Sequence, residues 1–270
     1  MGLITLTSDM GLKDFYVAAV KGAIYSQHPE AKVVDISHQV EPFNIIQAAF
    51  ILKNCYHEFP AGTIHIICVN DLAKDNQKYL AIRHNGHCFI CCDNGIIDLI
   101  LKDEPEKIVE IALNSDSEDS VFFAKDILAK AAAFLSRGGT MEFLGKETNT
   151  YTTRNTFSSV TSNNEISGAV CYIDSYGNAV SNIDKTQFKL IGKGRPFRIQ
   201  FSAGEFYIDQ ISKEYGNVPS GEKLALFGVS GNLEIAVNRG TVRTGGGANQ
   251  LFGLQEGSPI RIEFEDVTNR

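Results

Sequence analysis

The chain has 270 residues, of which 43% are hydrophobic and 21% are charged, a composition typical of globular proteins. Its formal net charge of -7 argues against a nucleic-acid-binding protein, because neutralising phosphates requires a surplus of Lys and Arg on some face. No apolar run is long enough to cross a bilayer, and the N-terminus lacks the basic and apolar regions of a signal peptide, so we expect a cytoplasmic location.

The N-terminal half alternates predicted strands with predicted helices. Short apolar strands are predicted at LITLT, KVVDIS and TIHIICVND, and amphipathic helices at DFYVAAVKGAIYSQHP and FNIIQAAFILKNCYHEF. This order predicts an α/β N-terminal domain with a parallel sheet and crossover helices. Ligands are expected outside the carboxyl ends of such strands, where Asp9, Asp35 and Asp71 fall.

A hairpin and a third helix complete this half. YLAIRH and HCFICC alternate like paired strands around an Asn85-Gly86 turn, and AKDILAKAAAFLSRGG predicts a helix that ends at glycine. The cysteines of HCFICCDNG have no second ligand pair at zinc spacing, so they are interpreted as buried reduced thiols and no metal site is predicted. His38 and His65 form no ligand pattern and are interpreted as structural histidines.

The character of the chain changes near residue 150. A stretch rich in Ser, Thr and Asn predicts a linker at 151–166, between an α/β domain at 1–150 and a C-terminal domain at 167–270. The C-terminal part has short strands separated by Gly, Asn and Pro, which predicts an all-β, barrel-like domain. The glycine-rich segment 244–253 lacks phosphate-loop spacing and is interpreted as a surface loop or lid.

Several acids are candidates for chemistry. Asp9 and Asp14 could bind hydroxyls or an amine, or they could be a helix cap and a first-turn acid. Asp71 begins a polar loop that is either a charged turn or the wall of a site. The stretch DSYGNAVSN, which begins at Asp174, is richer in polar and aromatic residues than a plain hairpin needs. A Rossmann-type dehydrogenase is disfavoured because no GxGxxG follows the first strand.

These stretches together resemble the S-adenosylmethionine-cleaving enzymes, that is, the hydroxide adenosyltransferases with the related fluorinase and chlorinase. The likeness covers nearly the whole chain. It rests on LTSDMGLKDFYVAAVKG, VVDISHQVEPFNIIQAAFIL, FPAGTIHIICVND, CCDNGIIDL, KDILAKAAAFLSRG, IDSYGNAVSNI and SGNLEIAVNRG, in that order. The resemblance implies an α/β domain followed by a β-barrel domain, a homotrimer with each site at a subunit interface, and no cofactor beyond S-adenosylmethionine as substrate.

The resemblance also implies roles for individual residues. Asp9 would hold the ribose diol with both carboxylate oxygens, Asp14 and Tyr16 would lie near the methionine end, and Phe43 would pack against the sugar. The other residues would come from the partner subunit. Asp174 would meet the methionine ammonium, and Ser230 would lie near the methionine carboxylate. Tyr176 would pack on the ligand, Asn178 would bind the adenine edge, the backbone around Asn238 would lie near adenine, and Tyr215 would stack on adenine.

The chain departs from the water-using members at the nucleophile. Those members have an Asp-Pro-Gly-Val-Gly loop followed by Arg, and a His within Phe-His-Gly-Arg-Asp, and these three side chains prepare the water. Here Asp71 is kept, Lys78 stands at the Arg position, Phe123 at the His position and Lys125 at the second Arg position. Lysine supplies charge without a planar fork, and phenylalanine cannot move a proton.

Three functional hypotheses follow. In the first, the protein hydrolyses S-adenosylmethionine to adenosine and L-methionine, with Asp71 and Lys78 orienting water and Phe123 shaping the pocket. In the second, it is a transferase that uses another nucleophile such as halide. In the third, it binds S-adenosylmethionine or adenosine without turning it over. The first is taken as the main expectation.

Overall fold

The computed structural model describes residues 2–71, 77–112, 120–154, 158–240 and 245–265, with the side chain of Ala203 left out. The chain divides into two compact units, Met1–Asn155 and Thr156–Arg270. This boundary falls inside the segment predicted as a linker, whose final residues already belong to strands. Within the described residues, no helix has the length and apolar character needed to span a membrane.

The N-terminal unit alternates strands and helices as the sequence predicts. In chain order its elements are β1 (Leu3–Ser8), α1 (Tyr16–Gln27), β2 (Lys32–Ser37), α2 (Ile45–Lys53), β3 (Ile64–Cys68), β4 (Tyr79–His84), β5 (His87–Cys92), α3 (Ile96–Ile100), β6 (Lys107–Ile111), a π-helical turn (Ala124–Leu128) that continues into α4 (Ala129–Ser136), and β7 (Gly145–Thr148).

The sheet of this unit is mixed rather than wholly parallel. Its strand order is β2-β1-β3-β5-β4-β6-β7. The expected parallel pairing is confirmed for β2-β1-β3-β5, whereas β4, β6 and β7 run antiparallel to their neighbours. The reason is the predicted Asn85-Gly86 hairpin, in which both residues have positive φ and reverse the chain. The hairpin returns β5 beside β3, so β4 lies between β5 and β6.

Apolar residues cover both faces of this sheet. Along β3, Ile64, Ile66 and Cys68 face the cluster that includes α1 and α4, whereas Ile67 faces the cluster that includes α2 and α3. This alternation is the two-residue period of a strand buried on both sides. All six cysteines lie in the described part of the chain and are free thiols; of the three predicted to be buried, Cys91 and Cys92 are buried and Cys88 is half-buried. The packing on both faces of the sheet holds the carboxyl ends of the parallel strands β1, β3 and β5 at one edge.

The C-terminal unit is an antiparallel, nearly closed barrel-like sheet, as predicted. In chain order its elements are β8 (Val160–Thr161), β9 (Glu165–Ile173), β10 (Ala179–Asp184), α5 (Lys185–Gly192), β11 (Phe197–Phe201), β12 (Phe206–Ile208), β13 (Lys223–Phe227), β14 (Asn232–Val237), α6 (Ala248–Leu251) and β15 (Pro259–Phe264). The strand order is β12-β11-β15-β9-β10-β14-β13, with β8 paired to β9. A bridge between Ile211 and Ala225 brings the chain that follows β12 against β13.

Helix α5 was not predicted from the sequence. Asp184 at its N-cap accepts a hydrogen bond from the backbone N–H of Gln187, and the chain leaves the helix through Lys193, which has a positive φ. These are ordinary start and stop signals. The helix is only eight residues long and lies between two predicted strands, so its period is too short to stand out in the sequence.

A buried histidine pair makes the stability of the N-terminal unit depend on pH. His65 is fully buried, with its Nδ1 2.7 Å from the Thr5 hydroxyl and its Nε2 3.1 Å from Nδ1 of His87. Burial, together with the charge of His87, lowers the pKa of His65 from 6.5 to about 3. The folded state therefore binds fewer protons than the unfolded state below pH 6.5, and acid destabilises the fold.

We expect the free energy of unfolding to fall by about 2 kcal/mol between pH 7 and pH 5 because of His65 alone. Urea unfolding measured across that range checks this. His65→Gln should flatten the dependence, whereas His57→Gln, a change at an exposed histidine, should leave it nearly unchanged. An equal slope in all three proteins would contradict the assignment.

Candidate functional site

Asp9 is the centre of the polar edge of the N-terminal sheet. It follows β1 directly, and its Oδ2 accepts hydrogen bonds from the backbone N–H of Phe43 at 2.8 Å and of Asn70 at 3.2 Å. Both donors have left-handed backbone conformations, with φ of 67° and 51°. This conformation is unfavourable for Phe43 and is found in such residues where the surrounding structure imposes it, whereas asparagine tolerates it better. Asp9 thus ties together the ends of β1 and β3 and the entry to α2.

Asp71 lies next to Asp9 at the same edge. Burial raises the pKa of Asp71, and the negative charge of Asp9 raises it further. The backbone N–H of Ala124, at the start of the π-helical turn, donates to the carboxylate of Asp71 and partly offsets these effects. The thiol of Cys68 also has a raised pKa, because of its burial and the charges of both acids. These couplings bring Asp9 and Asp71 together at the strand edge, whereas Asp35, also expected there, lies within β2 and interacts with Lys21 and His38.

Asn94 supports this edge and was missed in the sequence. Its Nδ2 donates to the carbonyls of Val69 at 3.0 Å and Asn70 at 3.1 Å, and its Oδ1 accepts from the backbone N–H of Ile96. The side chain therefore joins the end of β3 to the start of α3. A signal was present, because Asn94 comes directly after β5, whose carboxyl end lies at the same edge.

A chain of polar contacts leads from buried Ser8 and His38 to the partly exposed Asp35 and Lys21. The Ser8 hydroxyl is 2.7 Å from Nδ1 of His38, whose Nε2 is 3.0 Å from Asp35, and Asp35 accepts from Lys21 at 2.7 Å. Ser8 is only 1% exposed, so this serine does not present a nucleophile to solvent. The backbone carbonyl of His38 accepts from the N–H of Gly11, so the chain positions the loop that carries Asp9.

Lys78 is paired with a residue other than the one expected. The Lys78 ammonium is half-exposed and donates to Glu110 at 2.7 Å, and this contact raises the pKa of Lys78. Asp93 is the other charge that acts on it. Among the described residues, the contacts of Lys78 do not include Asp71. Its predicted role in orienting water remains a prediction without a supporting contact.

The aromatic residues near this edge form two ring pairs, and one further ring is exposed. Phe123 packs on the first core cluster and stacks on Tyr79 with 5.4 Å between ring centroids, and Tyr16 meets Phe122 edge-on at 5.6 Å. Phe43 is exposed although its backbone is fixed by Asp9.

Asp14, the second acid of the opening loop, lies exposed just before α1. That helix starts after Phe15, with no side-chain cap and no acid in its first turn. The alternative role of the two aspartates as a cap and a first-turn acid is therefore not observed.

In the C-terminal unit, Asp174 organises the turn between β9 and β10. Its Oδ1 accepts from the backbone N–H of Tyr176 and of Asn178, both at 2.9 Å, and its Oδ2 accepts from the Asn178 amide at 2.8 Å. The Tyr176 ring is exposed, and Asn178 is buried. The prediction grouped these three residues, and the structure holds them in one turn.

Glu234 joins this group and was missed in the sequence. It is buried on β14, and its Oε2 accepts from the Tyr215 hydroxyl at 2.8 Å. Burial raises the pKa of Glu234, and the charge of Asp174 raises it further. An acid inside the otherwise apolar strand NLEIAV was the available signal.

The side chains at the remaining predicted positions make hydrogen bonds within the chain. Ser230 accepts from the backbone N–H of Asn232, and the Asn238 amide donates to the carbonyl of Val218 at 2.7 Å. The described part of the glycine-rich segment packs closely on the Asp174 turn. The approach is so close that a side chain at Gly247 would collide with the Tyr176 carbonyl. Within the described residues, no group of three or more potential ligands could hold a metal ion.

Comparison with known proteins gives matches over most of the chain. The model of the SAM (S-adenosylmethionine) hydroxide adenosyltransferase N-terminal domain matches residues 4–145, and that of the C-terminal domain matches residues 168–261. An (R)-S-adenosyl-L-methionine hydrolase from Thermus thermophilus is 28% identical over 269 residues, which cover 94% of this chain and 97% of the relative. A fluorinase from Nocardia brasiliensis is 21% identical over 223 residues, which cover 71% of this chain and 74% of the relative.

A solved structure is also similar. An uncharacterized conserved protein from Thermotoga maritima superposes with a TM-score of 0.86 at 29% identity, covering 96% of this chain and 99% of that chain. Both units are therefore shared with a solved relative.

The coupling of the two acids gives a prediction for Asp71. Asp9→Asn removes the neighbouring charge, so the pKa of Asp71 should move down. Carboxyl ¹³C chemical shifts recorded during a pH titration measure this. Asp14→Asn removes an exposed acid from the same loop and should leave the titration of Asp71 unchanged. Identical Asp71 titrations in wild type and Asp9→Asn would show that the two acids are not coupled.

Proposed function

The chain belongs to the SAM hydroxide adenosyltransferase family, and on that basis we propose that it cleaves S-adenosylmethionine with water at the ribose C5′, giving adenosine and L-methionine. The observation that carries the proposal is the pair of acids at the strand edge. Asp9 is held in place by two backbone N–H groups, and Asp71 beside it has a raised pKa.

The reaction makes modest demands on an enzyme. A sulfonium is a good leaving group, so no general acid is needed, and the protein must hold the ribose, place a nucleophile in line and exclude other water. We assign the ribose to Asp9. Both acceptor positions on Oδ2 are used by Phe43 and Asn70, which leaves Oδ1 for the ribose hydroxyls, and not both oxygens as the resemblance implied. Its backbone donors keep the carboxylate from turning away.

We assign the proton transfer to Asp71. A raised pKa makes a carboxylate a better base, which suits general base catalysis near neutral pH. As the water oxygen bonds to C5′, one water proton passes to Asp71. The C5′–S bond breaks, and its electron pair stays on sulfur as the neutral thioether of methionine. Asp71 then releases the proton to solvent.

Two observations favour a second candidate, a protein that binds S-adenosylmethionine or adenosine without cleaving it. Lys78 is engaged by Glu110, and Phe123 offers no proton-transfer group where the resemblance implies histidine. A different nucleophile such as halide, as the fluorinase relatives suggest by name, is the remaining outcome.

The main test is the fate of S-adenosylmethionine in halide-free buffer, followed by liquid chromatography. We expect adenosine and methionine from the wild type. Asp71→Asn should lower kcat by about 100-fold or more, because it removes the base, while adenosine binding measured by calorimetry is retained. Asp103→Asn, a change at an exposed acid outside the site, serves as the control and should match the wild type. Tight binding with the ligand recovered intact would support the non-catalytic candidate instead.

We also propose that the protein is a homotrimer in which the N-terminal residues of one subunit and the C-terminal residues of the next share the ligand. In that arrangement Asp174, with Glu234 and Tyr215 behind it, would meet the methionine ammonium, and Tyr176 and Asn178 would meet the nucleoside. Carboxylates suit an ammonium group, whereas aromatic and amide groups suit a purine.

Light scattering coupled to gel filtration tests the assembly. A trimer mass is expected, because the two groups of predicted residues are then brought to one ligand. Asp174→Asn should weaken S-adenosylmethionine binding without changing that mass. A monomer that still binds S-adenosylmethionine tightly would rule out the shared site.

A further inference from the structure

Tyr79 is a buried polar residue that the proposed reaction has not yet used. It is the first residue of β4 and is only 1% exposed. Within the described part of the chain, its hydroxyl is buried without a hydrogen-bond partner. Buried tyrosine hydroxyls in folded proteins nearly always have a partner, so an unpaired one calls for an explanation.

The surroundings of Tyr79 place it at the edge where Asp71 lies. Tyr79 pairs with Cys92 at the end of β5, which is the strand next to β3. Its ring stacks on Phe123, and the next residue, Ala124, donates its backbone N–H to the Asp71 carboxylate. The same helix start therefore contacts both side chains.

The electrostatics agree with this placement. Burial raises the pKa of Tyr79 well above its usual value, and the charges of Cys92 and Asp71 add to the effect. The phenol is therefore neutral in the folded protein. It is close enough to Asp71 to be affected by the charge, yet the two make no direct hydrogen bond. One bridging water would satisfy both groups.

We propose that the Tyr79 hydroxyl and the Asp71 carboxylate hold the nucleophilic water between them, with Tyr79 as the positioning residue at the place where histidine is missing. This inference rests on the proposed hydrolysis of S-adenosylmethionine. The water donates one O–H to Asp71 and the other to the Tyr79 oxygen, which leaves a lone pair for C5′. Its proton goes to Asp71, the C5′–O bond forms and the C5′–S bond breaks, with the electron pair left on sulfur. Tyr79 remains a neutral phenol throughout.

Tyr79→Phe tests this inference because it removes only the hydroxyl and keeps the ring on Phe123. We expect kcat for S-adenosylmethionine to fall by about 10- to 100-fold, with KM and the adenosine Kd changed by less than about twofold. Tyr151→Phe is the matched control, since Tyr151 is a half-buried tyrosine packed against the second core cluster, on the opposite sheet face from Phe123. It should match the wild type.

The outcomes separate the inference from the proposed function. An unchanged kcat in Tyr79→Phe would overturn the inference while the proposed hydrolysis stands. A fall in kcat accompanied by a loss of adenosine binding and of thermal stability would also overturn it, because it would indicate a structural role. If the wild type forms no adenosine, the proposed function fails, and a high-resolution crystal structure with adenosine decides the inference. A water within hydrogen-bond distance of both Tyr79 and Asp71, lost in Tyr79→Phe, supports it, and its absence from the wild type overturns it.

Discussion

The carboxylate of Asp9 is the constraint around which the N-terminal site is built, because it holds two left-handed residues from different parts of the chain. Phe43 adopts a backbone conformation that costs of order 1–3 kcal/mol, Asn70 adopts a similar one that asparagine tolerates better, and each donates its N–H to the same oxygen of Asp9. The charge-assisted hydrogen bonds offset that cost. Asn94 then fixes the carbonyls of Val69 and Asn70, so the loop geometry is determined from both sides.

This anchoring has an electrostatic consequence. With Asp9 fixed, Asp71 is held buried beside a like charge, which raises its pKa and makes it a better base than an exposed aspartate. Within the described part of the chain, Lys78 is paired with Glu110 and not with Asp71. Besides Asp9, the described neighbours of the acid include a backbone N–H, a thiol and a neutral phenol. Such an environment favours a reaction that begins with a proton leaving a neutral nucleophile.

The sequence predicted the architecture well because both units depend on simple periodicity. Apolar strands followed by acids indicated the polar edge, and the Asn85-Gly86 turn indicated the hairpin that places β4 antiparallel in the sheet. Long-range hydrogen bonds could not be predicted from the sequence. Nothing local shows that Asp9 would accept from residues 34 and 61 positions away, that Asn94 would hold β3, or that Glu234 would pair with Tyr215. In the sequence, Tyr79 is only an aromatic residue of a predicted strand. Its proposed role depends on burial near Asp71, which only the fold creates.

The central claim is that water, prepared by Asp71, becomes the 5′-hydroxyl of adenosine. The measurement that tests it most directly is mass spectrometry of the products formed from S-adenosylmethionine in H₂¹⁸O without halide. The account predicts one ¹⁸O atom in adenosine and none in methionine. Recovery of intact S-adenosylmethionine, or adenosine that carries no ¹⁸O, would contradict it.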